Sequence, residues 1–320
     1  MDAINLLVQT DTGLSIDAEY IPAFQGGTNR VLFGHYHEKS IAFKHYGNPA
    51  RKQHEERVLQ LFAETGYVPL LFPVESETVL VMERLPGLPF FMVEETLDLT
   101  QWKGLFHQLG TALAKIVEMA PGGTDAISGP QDIISGPGFD YRFYCDANLE
   151  TFFDTVTLLS AKALAERDVP DKALLEKSLS DIRNNRDAIL SFPSFICMDD
   201  FHYSNMIADG PKLQGFIDLE MTRYGNEILV LAAFLASMSP HQLERWSWIR
   251  EGYENGRGHV LDSAMISLAA IVAPFTQWVR FMWYWSTDEI PQWAKDRNVR
   301  ASVIRDIKAT VELIQAMDLQ

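Results

Sequence analysis

A chain of 320 residues that is 47% hydrophobic has the apolar mass for one large domain or two lobes. Its formal net charge of −16 argues against a nucleic-acid binder, whose phosphate contacts need a basic face, and disfavours an anionic membrane surface; it is compatible with a cationic ligand. Two cysteines, Cys145 and Cys197, form no disulfide framework, so a reducing, cytoplasmic setting is expected.

The N-terminus, Met1-Asp2-Ala3-Ile4-Asn5-Leu6, lacks the basic region and apolar core of a secretory signal. Residues 1–19 read as a helical or irregular lead-in. Tyr20–Phe24, a turn at Gly26-Gly27, a run to Gly34, a polar turn at His35–Lys39 and the run Ser40–Tyr46 then read as strand, turn, strand, turn, strand. His35 and His37 are the only close histidine pair, and we read them as solvated turn residues; no Cys/His cluster supports zinc. Gly26 and Gly27 let the backbone pass close over phosphates. Lys44, on the strand after this hairpin and flanked by apolar residues, has the reach to clamp nucleotide phosphates; the plainer alternative is an outward-facing strand lysine. Asn48–Glu64 is a helix with the stripe Val58, Leu59, Leu61 and Phe62, ended by Gly66, and carries Glu55 and Glu56 on its early face. Strands are expected at Leu70–Val74 and Thr78–Met82, and Glu83-Arg84-Leu85-Pro86-Gly87 breaks regular structure.

Beyond Gly87 the chain reads as helical. Thr100–Met119 carries a core stripe of Trp102, Leu105, Leu109, Leu113, Ile116 and Val117. Pro121–Phe139 is a long loop, and helices cover about Tyr141–Arg167 and Asp171–Leu190. Two short apolar runs then flank a polar loop: Phe195-Ile196-Cys197, Met198-Asp199-Asp200-Phe201-His202-Tyr203-Ser204-Asn205, Met206-Ile207. A turn at Ala208-Asp209-Gly210-Pro211 returns the chain through Leu213–Ile217 to Asp218-Leu219-Glu220. Asp200, Asn205 and Asp218 can thereby converge. A magnesium-dependent phosphoryl transferase needs such a set: one carboxylate for the proton of the attacking hydroxyl, an amide oxygen and a second carboxylate for the metal. Gly225-Asn226-Glu227 leads into the helix Ile228–Met238, and Ser263–Val279 reads as one buried helix. Six tryptophans, Trp246, Trp248, Trp278, Trp283, Trp285 and Trp293, crowd the C-terminal third, as packing core or in part as an aromatic cage for a cation.

The polar loop resembles the H-G-D-x-H-x-x-N and I-D-x-E/D motifs of the aminoglycoside phosphotransferase and choline kinase-like family of small-molecule kinases. Gly26-Gly27-Thr28-Asn29 is similar to the glycine loop of that family, and Glu83–Gly87 to its E-x-x-x-G linker. Met198 and Asp199 stand where the family has His and Gly; Asn226 and Val230 stand at two Asp positions of a following motif. The resemblance runs from about Ala23 to Ala236.

It implies an α+β fold with two protein-kinase-like lobes: residues 1–84 as a small antiparallel-sheet nucleotide-binding lobe, 85–320 as a larger, mainly helical catalytic and substrate-binding lobe. Asp200 falls on the catalytic aspartate, Asn205 and Asp218 on the Mg²⁺ ligands, and His202 on a loop-orienting histidine. Gly26, Gly27 and Lys44 would meet the phosphates, with Glu55 (alternatively Glu56) fixing Lys44. Met82, Glu83 and Leu85 would line the base pocket at the hinge, leaving ATP or GTP open. The expected reaction is phosphoryl transfer to a hydroxyl of a small molecule. Asp199, Asp200 and Glu220, with the acidic chain, favour an amine-bearing acceptor such as an aminoglycoside or amino alcohol; an anionic acceptor would need Arg223 or Arg280 turned inward. A nucleotide-binding module without transfer activity is the alternative. A protein kinase is disfavoured by the lack of D-F-G and A-P-E motifs. Oligomeric state is not readable from the sequence.

Overall fold

The N-terminal sheet is built around two strands that do not alternate between buried and exposed. Ile41 to Lys44 are all buried in Lys39–Tyr46 (β3), as are Val79 to Met82 in Val79–Glu83 (β4), so both faces of the sheet are covered. The computed structural model describes residues 3–10, 13–17, 29–119, 135–136, 139–140, 148–197, 203–237, 243–290 and 292–316. The chain divides into two compact units, Met1–Leu105 with Tyr203–Met221, and Phe106–His202 with Thr222–Gln320.

In the first unit the antiparallel order is β1 (Leu14–Ile16), β2 (Asn29–Tyr36), β3, β4. Leu32, Ile41, Phe43, Val79 and Val81 form one face and pack with Leu14 and with Ile4 of helix α1 (Ala3–Thr10). Ala42, Lys44 and Tyr46 alternate onto the other face, with Leu80 and Met82 opposite Lys44 and Ala42 on β4. Helix α2 (Pro49–Phe62) lies on that second face, since its Glu55 bonds both Lys44 and Tyr46. Asn48 caps it, its side chain accepting from the Ala50 amide at 2.9 Å, and Pro49 sits where a missing N–H is harmless. One 3₁₀ turn later Gly66 ends the run at φ 72°.

Four expectations change here. The lead-in is helical at α1, one of its two expected forms, but also contributes the edge strand β1. The His35–Lys39 turn shrinks to His37-Glu38, because pairing continues to Tyr36 and Lys39; His35 lies in the strand, 3.2 Å from Asp17. Leu70–Val74 is not a strand. It makes one bridge, Leu71 to Met82, and two neighbouring bonds to β4, and Pro73 has no amide to continue the ladder. After Gly87, a short strand β5 (Leu88–Pro89) precedes the helices and pairs with the hairpin Met206–Asp209 and Lys212–Phe216. Tyr20–Phe24, Gly26 and Gly27 lie outside the described residues.

The second unit is mainly helical. Glu227–Ser237 is apolar all round, with Ile228 to Leu235 buried, and it packs on Ser263–Val272 and Phe275–Trp285. Asn226 begins this helix: its amide oxygen accepts from the Leu229 N–H at 3.1 Å and its NH₂ donates to the Ile189 carbonyl at 2.8 Å. Asn therefore satisfies that buried position without a carboxylate. The expected single helix Ser263–Val279 is two helices, Ser263–Val272 and Phe275–Trp285, broken where Pro274 cannot donate. Ser263–Trp285 has the length and mean hydropathy of a membrane span, yet 67% of its most apolar window is buried within the protein, as in a core segment. Likewise 171–190 divides at Asn185 into Lys172–Asn184 and Arg186–Leu190. Trp246, Trp278 and Trp285 are buried, and Trp278 donates to the Ser178 hydroxyl at 3.3 Å. Phe195–Cys197 pairs with Arg223–Gly225 and not with the hairpin that follows it.

Candidate functional site

The first unit gathers one lysine and three carboxylates. Lys44, opposite Val31 and Leu80 in the sheet, is 6% exposed, which excludes the outward-facing alternative. Its Nζ lies 2.5 Å from Glu55 Oε2 and 2.5 Å from Asp218 Oδ1. Both contacts are at the short end for charge-assisted bonds. Of the two acidic residues on α2, Glu55 faces Lys44, while Glu56 turns to Lys52 one turn back at 2.6 Å. Glu55 is held by three donors: Lys44 and, at 2.6 Å, the Tyr46 hydroxyl on Oε2, and the Leu219 amide on Oε1 at 3.1 Å.

The hairpin delivers the other two carboxylates. At Gly215, φ is 150° and a Cβ would fall 2.4 Å from the Tyr67 carbonyl oxygen; only glycine lets the strand pass so close. The Ile217 amide donates to the Asn205 carbonyl at 2.8 Å, so Asn205 is brought beside the Asp218 step. Asn205 itself is 8% exposed. Asp218 has φ 62°, a left-handed conformation that few side chains other than Asp and Asn tolerate. Such strain collects at functional positions. Its side chain is 37% exposed, against 1% for Glu55. Glu220 is 5% exposed and accepts from Asn29 Nδ2 at 2.8 Å and Arg51 Nη1 at 3.3 Å.

Ligand oxygens of Glu55, Asp218 and Glu220 lie within 4.8 Å of one another. Hard carboxylate oxygens of this kind suit Mg²⁺. All three are bonded to protein donors, and Asp218 is the most exposed of them. Burial works to lower the Lys44 pKa, but Glu55, Asp218 and Glu220 together outweigh it and hold the ammonium well above its usual range. Burial pushes the Glu55 carboxyl up; Lys44 pulls it back, and Asp218 and Glu220 add to the rise.

At the expected hinge, Met82 is buried on the Lys44 face of β4. Glu83 ends β4 and its amide donates to the Leu70 carbonyl at 2.7 Å; just beyond the strand, the Arg84 amide donates to the Ser40 carbonyl on β3 at 3.2 Å. Leu85 lies beside Gly215. In the second unit, Arg223 is buried with its guanidinium 4.4 Å from the Phe152 ring centre and one N–H on the Tyr224 carbonyl; Arg280 bonds Gln277 and Asp306. Asp200, with Met198, Asp199, His202, Gly26 and Gly27, lies outside the described residues. The sequence reading missed Tyr46 and Arg51. The signals were there: Tyr46 shares the Lys44 face by strand alternation, and Arg51 precedes Glu55 by one helical turn.

A model of the phosphotransferase enzyme family matches residues 25–246. No curated protein sequence matches the chain significantly. Similar solved structures include the ADP-bound aminoglycoside phosphotransferase APH(2'')-Ib, at 14% identity over 98% of this chain and 99% of that one, with a TM-score of 0.62. The GDP and kanamycin complex of APH(2'')-IIia has 12% identity over 96% and 97%, with a TM-score of 0.61. A choline/ethanolamine kinase family protein from Mesorhizobium loti has 15% identity over 96% and 89%, with a TM-score of 0.60. At these identities the likeness is one of fold: the α+β, kinase-like architecture with a small antiparallel sheet and a mainly helical remainder.

Proposed function

Because the chain belongs to the phosphotransferase enzyme family and is thus a small-molecule kinase, we propose that it uses ATP and Mg²⁺ to phosphorylate a hydroxyl of a small, amine-bearing acceptor. The observation that carries the reading is Lys44, buried between Glu55 and Asp218. Buried ion pairs add little net stability over a well-packed apolar core. A lysine kept in this position is better explained by a ligand that needs its charge.

Lys44 would bind the nucleotide phosphates, with Glu55 fixing its ammonium and the backbone at Gly26 and Gly27 covering the phosphates. Met82, Glu83 and Leu85 would border the base. Asn205 and Asp218 would hold Mg²⁺, which when bound neutralises charge on the phosphates. Asp200 would orient the acceptor hydroxyl and take its proton. Residues 1–84 would then be the nucleotide lobe and 85–320 the catalytic and acceptor lobe. Alignment and fixed charge supply most of the rate in such chemistry.

The amine preference now rests on Asp199, Asp200 and the chain's net charge of −16. Glu220, expected beside the acceptor, is instead bonded to Asn29 and Arg51. That APH(2'')-IIia was solved with kanamycin supports a polyamine acceptor by analogy. Steady-state assays with paired acceptors, each a charged amine and its neutral N-acetyl analogue, test the reading. Faster turnover of the charged member, abolished by EDTA, is expected; equal turnover of the pair removes the amine preference, and turnover without a divalent cation removes the magnesium requirement. Titration of ATP and GTP separately assigns the nucleotide.

A further inference from the structure

Building on the nucleotide reading above, we propose that Tyr46 is the positioning residue that aims the Glu55 carboxylate at Lys44, so that the lysine keeps this partner while its ammonium serves the nucleotide phosphates. Its side chain meets both members of the pair. The hydroxyl donates to Glu55 Oε2 at 2.6 Å, the same oxygen that receives Lys44 at 2.5 Å. The Lys44 ammonium also lies 5.0 Å from the centre of the Tyr46 ring, within cation–π range.

In this structure Lys44 is shared by Glu55 and Asp218. These two carboxylates take two of the three ammonium donors, so a phosphate oxygen can accept from the third, or in place of Asp218, while Glu55 stays bonded. Glu55 is 1% exposed, and an ionised carboxylate buried that deeply is unfavourable without donors. Besides Lys44, two donors fix the same carboxylate: the Tyr46 hydroxyl on Oε2 and the Leu219 amide on Oε1. Both belong to groups fixed by the fold. Burial and then the Glu55 charge push the Tyr46 hydroxyl far above its ordinary range, so it remains a donor throughout the working pH range. Glu55 therefore stays aimed at the Lys44 ammonium, held from both of its oxygens. The ring of Tyr46 is wholly buried, and phenylalanine fills the same volume, so the hydroxyl can be removed without opening a cavity.

The test is calorimetric titration of Mg·ATP and Mg·GTP into the wild type, Tyr46→Phe, Glu55→Gln, the double variant and Lys44→Ala, compared on the tighter nucleotide. Tyr46→Phe should weaken binding about tenfold, the size of a lost bond to a charged group. In the Glu55→Gln background the same change should alter affinity by less than about twofold, because the charge it steadies is gone. A merely structural tyrosine would give equal factors in both backgrounds, and that result, like unaltered affinity in Tyr46→Phe, overturns the proposal. Lys44→Ala separates the two levels. If it weakens nucleotide binding while Tyr46→Phe does not, only the role of Tyr46 falls; if Lys44→Ala binds as tightly as wild type, the nucleotide reading falls and this one with it.

Discussion

Among the described residues, two clusters that each set one cation among three carboxylates differ in burial. In the first unit Lys44 stands among Glu55, Asp218 and Glu220, with the lysine and Glu55 side chains 7% and 1% exposed. In the second unit Arg186 bonds Glu150, Asp154 and Asp187, which are 68%, 48% and 97% exposed. Arg186 bonds Asp154 through two nitrogens, Nε at 2.6 Å and Nη2 at 2.7 Å, as good a geometry as the lysine's. What separates them is water. Around Arg186, solvent screens each charge and each partner is replaceable. Around Lys44, desolvation raises the Glu55 carboxyl, Lys44 pulls it back, and Tyr46 and Leu219 also donate to it. A dry charge cluster costs stability unless it is complete, so its retention points to chemistry; a wet one of equal geometry does not.

The largest expected effect is on the dry cluster's activity. Asp218→Asn should abolish measurable phosphoryl transfer with the fold intact, since Asn tolerates the left-handed backbone that Ala would strain. Lys44→Ala should lower kcat/KM by about 10²–10³-fold, the scale of removing one preorganised charge from a transfer site. Steady-state kinetics with circular dichroism checks both; near-wild-type turnover of Asp218→Asn at saturating Mg²⁺ would put the site elsewhere. Removing Arg186 should leave turnover within about twofold.

The contrast also explains which parts of the molecule were legible in the sequence. Lys44, Asn205 and Asp218 stood out because strand, turn and spacing mark them, and the hairpin at 208–211 formed where the turn chemistry put it. Glu55 against Glu56 was not decidable from helical spacing alone, because both sit on adjoining faces of α2; the Lys52–Glu56 pair, a contact within one helix, settles it. Strand alternation puts Tyr46 on the Lys44 face, but its bond to Glu55, like the Asn29–Glu220 bond, joins residues whose meeting depends on how sheet, helix and hairpin pack. The breaks at Pro274 and Asn185 were misread because the apolar pattern runs across them, while the backbone bonding does not.

A second prediction concerns stability and pH, with opposite signs at the two clusters. Lys44→Met strands Glu55. The loss should be about 2–3 kcal/mol at neutral pH, below the 3–5 kcal/mol usual for a broken buried pair, because Tyr46 and Leu219 still donate. Glu55 already has a raised folded-state pKa, and losing Lys44, its one lowering partner of charge, raises it further. The native state then binds the proton more readily than the unfolded chain, so stability falls as pH rises from the ordinary carboxylate range through the raised value. Denaturant melts of Lys44→Met against wild type should show the gap widening from acid to neutral pH. A gap independent of pH would mean that Glu55 is not the group left uncompensated.

The smallest effect belongs to the wet cluster. The bonds from Arg186 hold the Asp154 carboxyl below its ordinary range. Here the unfolded chain binds the proton more readily, so the pair's contribution is present above the ordinary carboxylate pKa and disappears as pH falls through the lowered value. Asp154 is about half exposed as a side chain and Arg186 about a third, so water and salt leave little of the attraction. Asp154→Asn should therefore shift the melting temperature at neutral pH by no more than about 2 °C. That shift should vanish below the carboxylate range and shrink as salt rises to 1 M, where the screening length is about 3 Å. A larger shift that survived salt would show that the Arg186 network is as dry in its effect as the cluster around Lys44, and that burial alone does not separate the two.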